Sequence, residues 1–184
     1  MRFFIVILRK TNFMKKEFIV FFFFILFGSF SAQDDCVFND DYEGLTREVL
    51  TNYNKNLKIK FNPKNKITTT QLNTGEILNL SIGGCDHFNY FGEITSEIDF
   101  KNQKQLQEKL IWMVNHFFGK KFGDDYQKII KNHQFKLSQN STSTKKNFEI
   151  EFKDQKESNI IYETFIFEKI NSKKTKISTS VYMN

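Results

Sequence analysis

The spacing of apolar positions changes several times along residues 34–184, and each change predicts a secondary-structure element. The clearest helical signal has apolar side chains three or four residues apart, at Leu106, Leu110, Met113, Val114 and Phe117. Asn102 carries a side chain suited to a helix N-cap, and Gly119 is a residue type that commonly ends a helix. We therefore expect one long helix between these two residues.

Two shorter helices are predicted from similar signals. One follows Asp40, whose three-residue spacing to Glu43 is that of a capping box. The other is capped by Asp124 or Asp125 and continues to about His133.

Most of the remaining patterned segments alternate with a period of two, which is typical of β-strands, whereas residues 159–170 are apolar on both faces, as in a central strand. They cover residues 57–61, 66–72, 76–82, 88–100, 148–153, 159–170 and 177–183. Short turn sequences join several neighbours, so we expect hairpins and an antiparallel sheet. The predicted fold is α+β: an antiparallel sheet of about six or seven strands with helices packed on one face, and one disulfide.

The start of the chain has the three-part composition of a secretory signal. Lys15 and Lys16 precede an apolar run at residues 18–27, and small residues follow. We expect cleavage near Ser31 to Gln33. Because the apolar run is shorter than the roughly 20 residues that span a bilayer, no stable membrane span is expected after cleavage.

The chain accordingly divides into a leader and one domain. Residues 1–33 are assigned to the signal peptide, in which residues 1–13 have the pattern of an upstream start extension. Residues 34–184 are long enough to bury a single core and are assigned to one globular domain. A composition rich in Asn, Lys and Ile suggests a bacterial genome rich in A and T. Together with the leader, it predicts a periplasmic or secreted bacterial protein.

The positive charge of the chain belongs mainly to the leader. The whole sequence has 27 Lys and Arg against 21 Asp and Glu, a net charge of +6. Removing the leader takes away five basic residues and one acidic residue, which leaves 22 against 20. A domain with so small an excess of positive charge is not expected to bind nucleic acid.

Cys36 and Cys85 are the two cysteines of the sequence. In an oxidising compartment two thiols in one small domain are expected to pair. A crosslink between positions 49 residues apart stabilises by about 4 kcal/mol in the chain-entropy account. Gly83 and Gly84, just before the second cysteine, favour a bend or bulge between two strands.

The segment around Cys85 also has two chemical interpretations. One makes Cys85 a nucleophile with His87 as its base, and the other makes Cys85, Asp86 and His87 a metal site. No third orienting group accompanies the pair. His116 and His133 lie in separate predicted helices without the spacing of a zinc motif. We therefore assign no catalytic residue, no metal ligand and no cofactor.

Five residues are the candidates for a binding surface: Asp86, His87, Phe91, Glu93 and Trp112. Phe91 falls on the polar side of its predicted strand, and Trp112 flanks the apolar stripe of the long helix. Glu93 belongs to an acidic stripe that lysines on neighbouring strands can neutralise.

The function expected from these features is that of an exported, non-enzymatic binding or protein-interaction domain, such as an inhibitor or immunity-type protein. Its partner is expected to be another envelope or secreted protein. The alternative is a small thiol-dependent or hydrolytic envelope enzyme that uses Cys85 and His87. The sequence predicts neither the ligand nor the oligomeric state.

Overall fold

A computed structural model describes residues 41–84, 88–151 and 160–183, which form three α-helices and eight β-strands. In chain order these are α1 (Tyr42–Tyr53), β1 (Ile59–Asn62), β2 (Ile67–Gln71), β3 (Ile77–Gly84), β4 (Phe88–Ser96), α2 (Gln103–Phe117), α3 (Lys120–Lys131), β5 (Phe135–Leu137), β6 (Lys145–Ile150), β7 (Ile160–Lys169) and β8 (Thr175–Met183).

All eight strands belong to one antiparallel sheet with the order β1-β2-β3-β4-β8-β7-β6-β5. Two four-stranded meanders therefore meet at the central β4–β8 pair, and α2 and α3 lie between them in the chain. The predicted α+β class is confirmed. The predicted count of six or seven strands is wrong, because the three residues of β5 are too few to show an alternating pattern.

The long helix matches its prediction closely. The five predicted core residues of α2 are all buried. Asn102 is the N-cap, and its side-chain oxygen accepts a hydrogen bond from the Gln105 amide at 3.2 Å. Gly119 follows the last turn with a φ of 112°, a conformation that favours glycine.

Several predicted boundaries are wrong. The N-cap of α1 is Asp41, which accepts a hydrogen bond from the Gly44 amide at 2.7 Å. The third helix begins at Lys120, because its buried stripe starts as early as Phe122. Strand β4 ends at Ser96 instead of continuing to residue 100.

One face of the sheet shares a single core with the helices. Leu78, Leu80, Ile94, Ile177, Phe165 and Phe167 are buried on the strands, and they cluster with the buried stripes of α2 and α3. Tyr126 of α3 is fully buried, and its hydroxyl forms a hydrogen bond with the hydroxyl of Thr179 on β8. The strand positions in between carry mainly polar side chains.

The opposite face of the sheet, which carries these polar side chains, is called the polar face below. Its central row crosses five strands in register: Lys60, Thr69, Asn79, Glu93 and Ser178. Phe91 lies on the same face, between Ser81 and Ser180 on the neighbouring strands. Helices and polar face thus give the domain two surfaces of different chemistry.

The two cysteines of the predicted disulfide lie outside the described residues, as do Asp86, His87 and the predicted leader. The Cys36–Cys85 disulfide therefore stays a prediction. Within the described part of the chain, no helix is both long and apolar enough to cross a membrane.

Candidate functional site

A cleft of about 680 Å³ opens where α1, the end of α2 and the first residues of β4 converge. Its volume lies within the range of typical ligand sites. Helix α1 contributes residues from Leu45 to Tyr53, and α2 contributes residues from Asn115 onwards. The floor is formed by Ile82, Phe88 and Tyr90 on the paired strands β3 and β4.

The position of α1 explains why this cleft forms. Strand β2 pairs with β3 only as far as Leu80, so the amide of Ile82 has no strand partner on that side. The hydroxyl of Thr46, a buried residue of α1, accepts a hydrogen bond from this amide at 3.1 Å. Helix α1 therefore takes the place of a continued β2, and the space between α1 and α2 becomes the cleft.

Aromatic rings form much of the cleft wall. The ring centroids of Tyr53 and Phe117 lie 5.0 Å apart, and those of Tyr90 and Phe118 lie 5.5 Å apart. Tyr53 is 39% exposed, whereas Phe117 and Phe118 are buried. Burial raises the pKa of Tyr90, so its hydroxyl stays protonated and can donate a hydrogen bond.

His116 places an imidazole at the cleft beside the single tryptophan. Its ring centroid lies 4.8 Å from that of Trp112, and its Nδ1 lies 2.8 Å from the Trp112 carbonyl oxygen. Because a carbonyl only accepts, Nδ1 donates, and in the neutral ring Nε2 remains an acceptor. His116 is exposed, so a ligand in the cleft can reach this group.

Trp112 itself does not line the cleft, but it packs against residues that do. Its ring makes edge-to-face contacts with Tyr53 at 6.2 Å and with Phe117 at 5.7 Å. The ammonium of Lys109 lies 4.1 Å from the centroid of the Trp112 ring, a cation–π distance. Trp112 therefore connects the cleft, through Lys109, to a polar cluster around Glu76.

This cluster surrounds Glu76, the residue just before β3. Its carboxylate accepts hydrogen bonds from Lys109 at 2.7 Å, Ser96 at 2.5 Å and Thr74 at 2.8 Å. Burial alone raises the pKa of Glu76, but these hydrogen bonds outweigh it and hold the pKa below its ordinary value. With every carboxylate oxygen engaged, Glu76 fastens the β2–β3 hairpin to β4 and α2.

Glu93 lies on the polar face, where its partners occupy it. It accepts a hydrogen bond from Asn79 at 3.0 Å and forms an ion pair with Lys176 at 3.4 Å. Lys176 also pairs with Glu168 at 2.8 Å. The carboxylate therefore belongs to a cross-strand network that runs over β3, β4, β8 and β7.

Among the described residues, the structure does not bring the predicted binding residues together. Phe91 and Glu93 lie on the polar face, and Trp112 lies on the helical side near the cleft. Asp86 and His87 lie outside the described residues, although the next residue in the chain, Phe88, lines the cleft. The three described members of the predicted set are thus divided between two surfaces.

Sequence reasoning missed the residues that form the cleft, among them Tyr53, His116 and Tyr90. Two of them lie beside polar, helix-ending sequence: Tyr53 precedes an asparagine-rich segment, and His116 follows Asn115. Aromatic residues at the ends of two adjacent helices are a usable signal, but only when the helices are known to converge.

In the part of the chain that the structure describes, no group of three or more His, Cys, Asp or Glu residues could hold a metal ion. The chain matches no protein-family model, no curated protein and no solved structure.

Proposed function

We propose that this chain is an exported, non-enzymatic binding domain, and that it recognises another envelope or secreted protein through the cleft between α1, α2 and β4. The observation that carries the proposal is the wall of packed aromatic rings next to the accessible imidazole of His116. Aromatic side chains dominate the energetics of protein interfaces, and rings already held by their neighbours lose little conformational freedom on binding.

The size of the cleft favours insertion of a side chain or a short loop of the partner. A volume of about 680 Å³ accepts several residues. The exposed Tyr53 ring offers apolar contact area, and the hydroxyl of Tyr90 can donate a hydrogen bond. An inhibitor or immunity-type protein would use such a site to hold one protruding element of its target.

The export step rests on the leader sequence. A basic pair, an apolar run and small residues before Gln33 direct a chain to the secretory pathway. A partner encountered after export is therefore an envelope or secreted protein.

The test uses the chain from residue 34 onwards, immobilised and exposed to an envelope extract. We expect it to retain a specific protein, and we expect the double variant Tyr53→Ala/His116→Ala to lose that protein. The matched control is Thr51→Ala/Gln105→Ala, which alters exposed residues of the same two helices outside the cleft. Retention by the cleft variant equal to that of the control would refute the proposal.

A second measurement uses Trp112, the single tryptophan of the sequence. Its ring contacts Tyr53 and Phe117, which both line the cleft. Addition of the purified partner is expected to change its fluorescence emission. An unchanged spectrum at saturating partner would place binding elsewhere.

The enzyme alternative has one observation in its favour. Phe88, which directly follows His87 in the chain, lines the cleft. If Cys85 is a nucleophile, thiol titration of the native protein detects a reactive thiol. If Cys85 is paired with Cys36, no thiol reacts until the protein is reduced, and the enzyme alternative fails.

A further inference from the structure

Residues 49–75 carry five lysines and not one acidic residue. The lysines are Lys55, Lys58, Lys60, Lys64 and Lys66, and all five are exposed. This segment includes β1, which forms one edge of the sheet. Its charge of +5 exceeds the net charge of +2 that remains for the whole chain after the leader, so positive charge is concentrated at this edge.

Lys58, just before β1, and Lys60, on β1, differ from two other lysines of the sheet. Lys176 on β8 lies 2.8 Å from Glu168, and Lys136 on β5 lies 3.3 Å from Glu151. By contrast, neither Lys58 nor Lys60 forms an ion pair within the described part of the chain. Their charge is therefore available to an external anionic group.

Lys60 lies on β1 and Lys58 lies one residue before it. Two residues of extended chain separate side chains on the same side by about 7 Å. Together with Thr69, Gln71 and Ile77 the two lysines line a shallow concavity of about 290 Å³. An extended peptide has the same two-residue repeat, so two acidic residues at alternate positions match the two ammonium groups.

The backbone of β1 is also available. β1 is the last strand of the sheet, and β2 is its strand partner among the described residues. An unpaired strand edge can accept a further strand through main-chain hydrogen bonds. Lysines on the edge repel a second copy of β1 and attract an acidic strand, so they select the occupant as well as binding it.

We propose that the β1 edge binds an extended acidic segment of a partner protein, which adds a ninth strand to the sheet and places alternate carboxylates opposite Lys58 and Lys60. This surface is separate from the cleft, so the inference goes beyond the proposed function and does not depend on it.

The test measures binding of a short capped peptide, in which glutamates alternate with valine and threonine, to the chain from residue 34 onwards. We expect saturable binding that weakens as salt rises from about 0.1 M to 1 M, where the Debye length falls from about 10 Å to 3 Å. We also expect hydrogen-exchange protection of the amides of residues 58–62. Binding without that protection would overturn strand addition.

Charge reversal tests the two lysines directly. The variant Lys58→Glu/Lys60→Glu is expected to bind the glutamate peptide at least about tenfold more weakly, and to bind the matched lysine peptide instead. The control variant, Lys120→Glu/Lys131→Glu, makes the same charge change on exposed residues of α3. Equal losses of affinity in the two variants would show that only the net charge of the chain matters, and this would overturn the proposal.

Two further probes separate the possible occupants. A glutamate peptide N-methylated at alternate amides keeps its charge but loses main-chain donors, and it is expected not to bind. Vesicles of phosphatidylglycerol and phosphatidylethanolamine test a lipid surface. Binding to the vesicles and not to the peptide would replace the proposed acidic strand with an anionic membrane.

Discussion

The ring of Tyr42, the first residue of α1, occupies the space next to Gly83 that a side chain would otherwise fill. A Cβ atom added at Gly83 would lie 2.6 Å from the Cδ1 and Cε1 atoms of that ring. We therefore expect Gly83→Ala to lower the free energy of unfolding by about 1–3 kcal/mol, the usual cost of overpacking. Urea denaturation measures the change.

A double-mutant cycle separates this contact from a general intolerance of alanine in β3. Once Tyr42→Ala has removed the ring, Gly83→Ala is expected to cost much less than it does in the original protein. The same cost in both backgrounds would show that the ring is not the reason for the glycine.

Glu76 is expected to make stability depend on pH. Its native pKa lies below the ordinary value of 4.5, so the ionised carboxylate stabilises the fold above that pH, and the stabilisation is lost as pH falls through the native pKa. At pH 7, Glu76→Gln is expected to lower the free energy of unfolding by about 2 kcal/mol, since hydrogen bonds to a charged group are lost. Denaturation curves at several pH values should show that the difference in unfolding free energy between the original protein and Glu76→Gln becomes smaller as the pH falls.

The matched control for Glu76 is Glu108→Gln. The Glu108 side chain is 62% exposed and lies 4.0 Å from Lys104 on the same helix, a pair expected to contribute less than about 0.5 kcal/mol. If the stability of both variants follows the same pH profile, the hydrogen bonds to the Glu76 carboxylate do not cause the pH dependence.

The sequence predicted those parts of the fold that depend on periodic burial. The stripe of α2 and the alternation of β3 and β8 each repeat often enough to be recognised, and each side chain of the α2 stripe is buried as expected. The three residues of β5 were missed because such a short strand depends on pairing with β6 for its conformation.

The candidate site could not be predicted in the same way. Tyr53 and Phe117 are 64 positions apart, and their contact depends on α1 replacing β2 beside β3. Local sequence patterns do not encode how two helices converge, so the chemistry of the cleft emerges only from the tertiary structure. The charge of the β1 edge, in contrast, was present in the sequence as five lysines without an acidic residue.

The buried hydroxyls of Tyr126 and Thr179 give a graded prediction. Thr179 donates to the Thr164 carbonyl oxygen at 2.8 Å, so the Tyr126 hydroxyl donates to Thr179. Tyr126→Phe removes the hydrogen bond to Thr179 and is expected to cost about 1 kcal/mol. Thr179→Val removes both and leaves the tyrosine hydroxyl and the carbonyl without these partners, so it is expected to cost about 2–4 kcal/mol. Equal costs, measured by thermal or urea denaturation, would contradict this bonding order.

The predicted pairing of Cys36 with Cys85 should contribute a large part of the stability of the domain. If the two sulfurs are bonded, reduction is expected to lower the free energy of unfolding by about 4 kcal/mol, because the reduced unfolded chain regains the freedom of a loop spanning 49 positions. The double variant Cys36→Ser/Cys85→Ser should have nearly the stability of the reduced protein and should not respond to reductant. A protein whose denaturation curve is the same with and without reductant would contradict the disulfide, and with it the assignment of these cysteines to a structural crosslink.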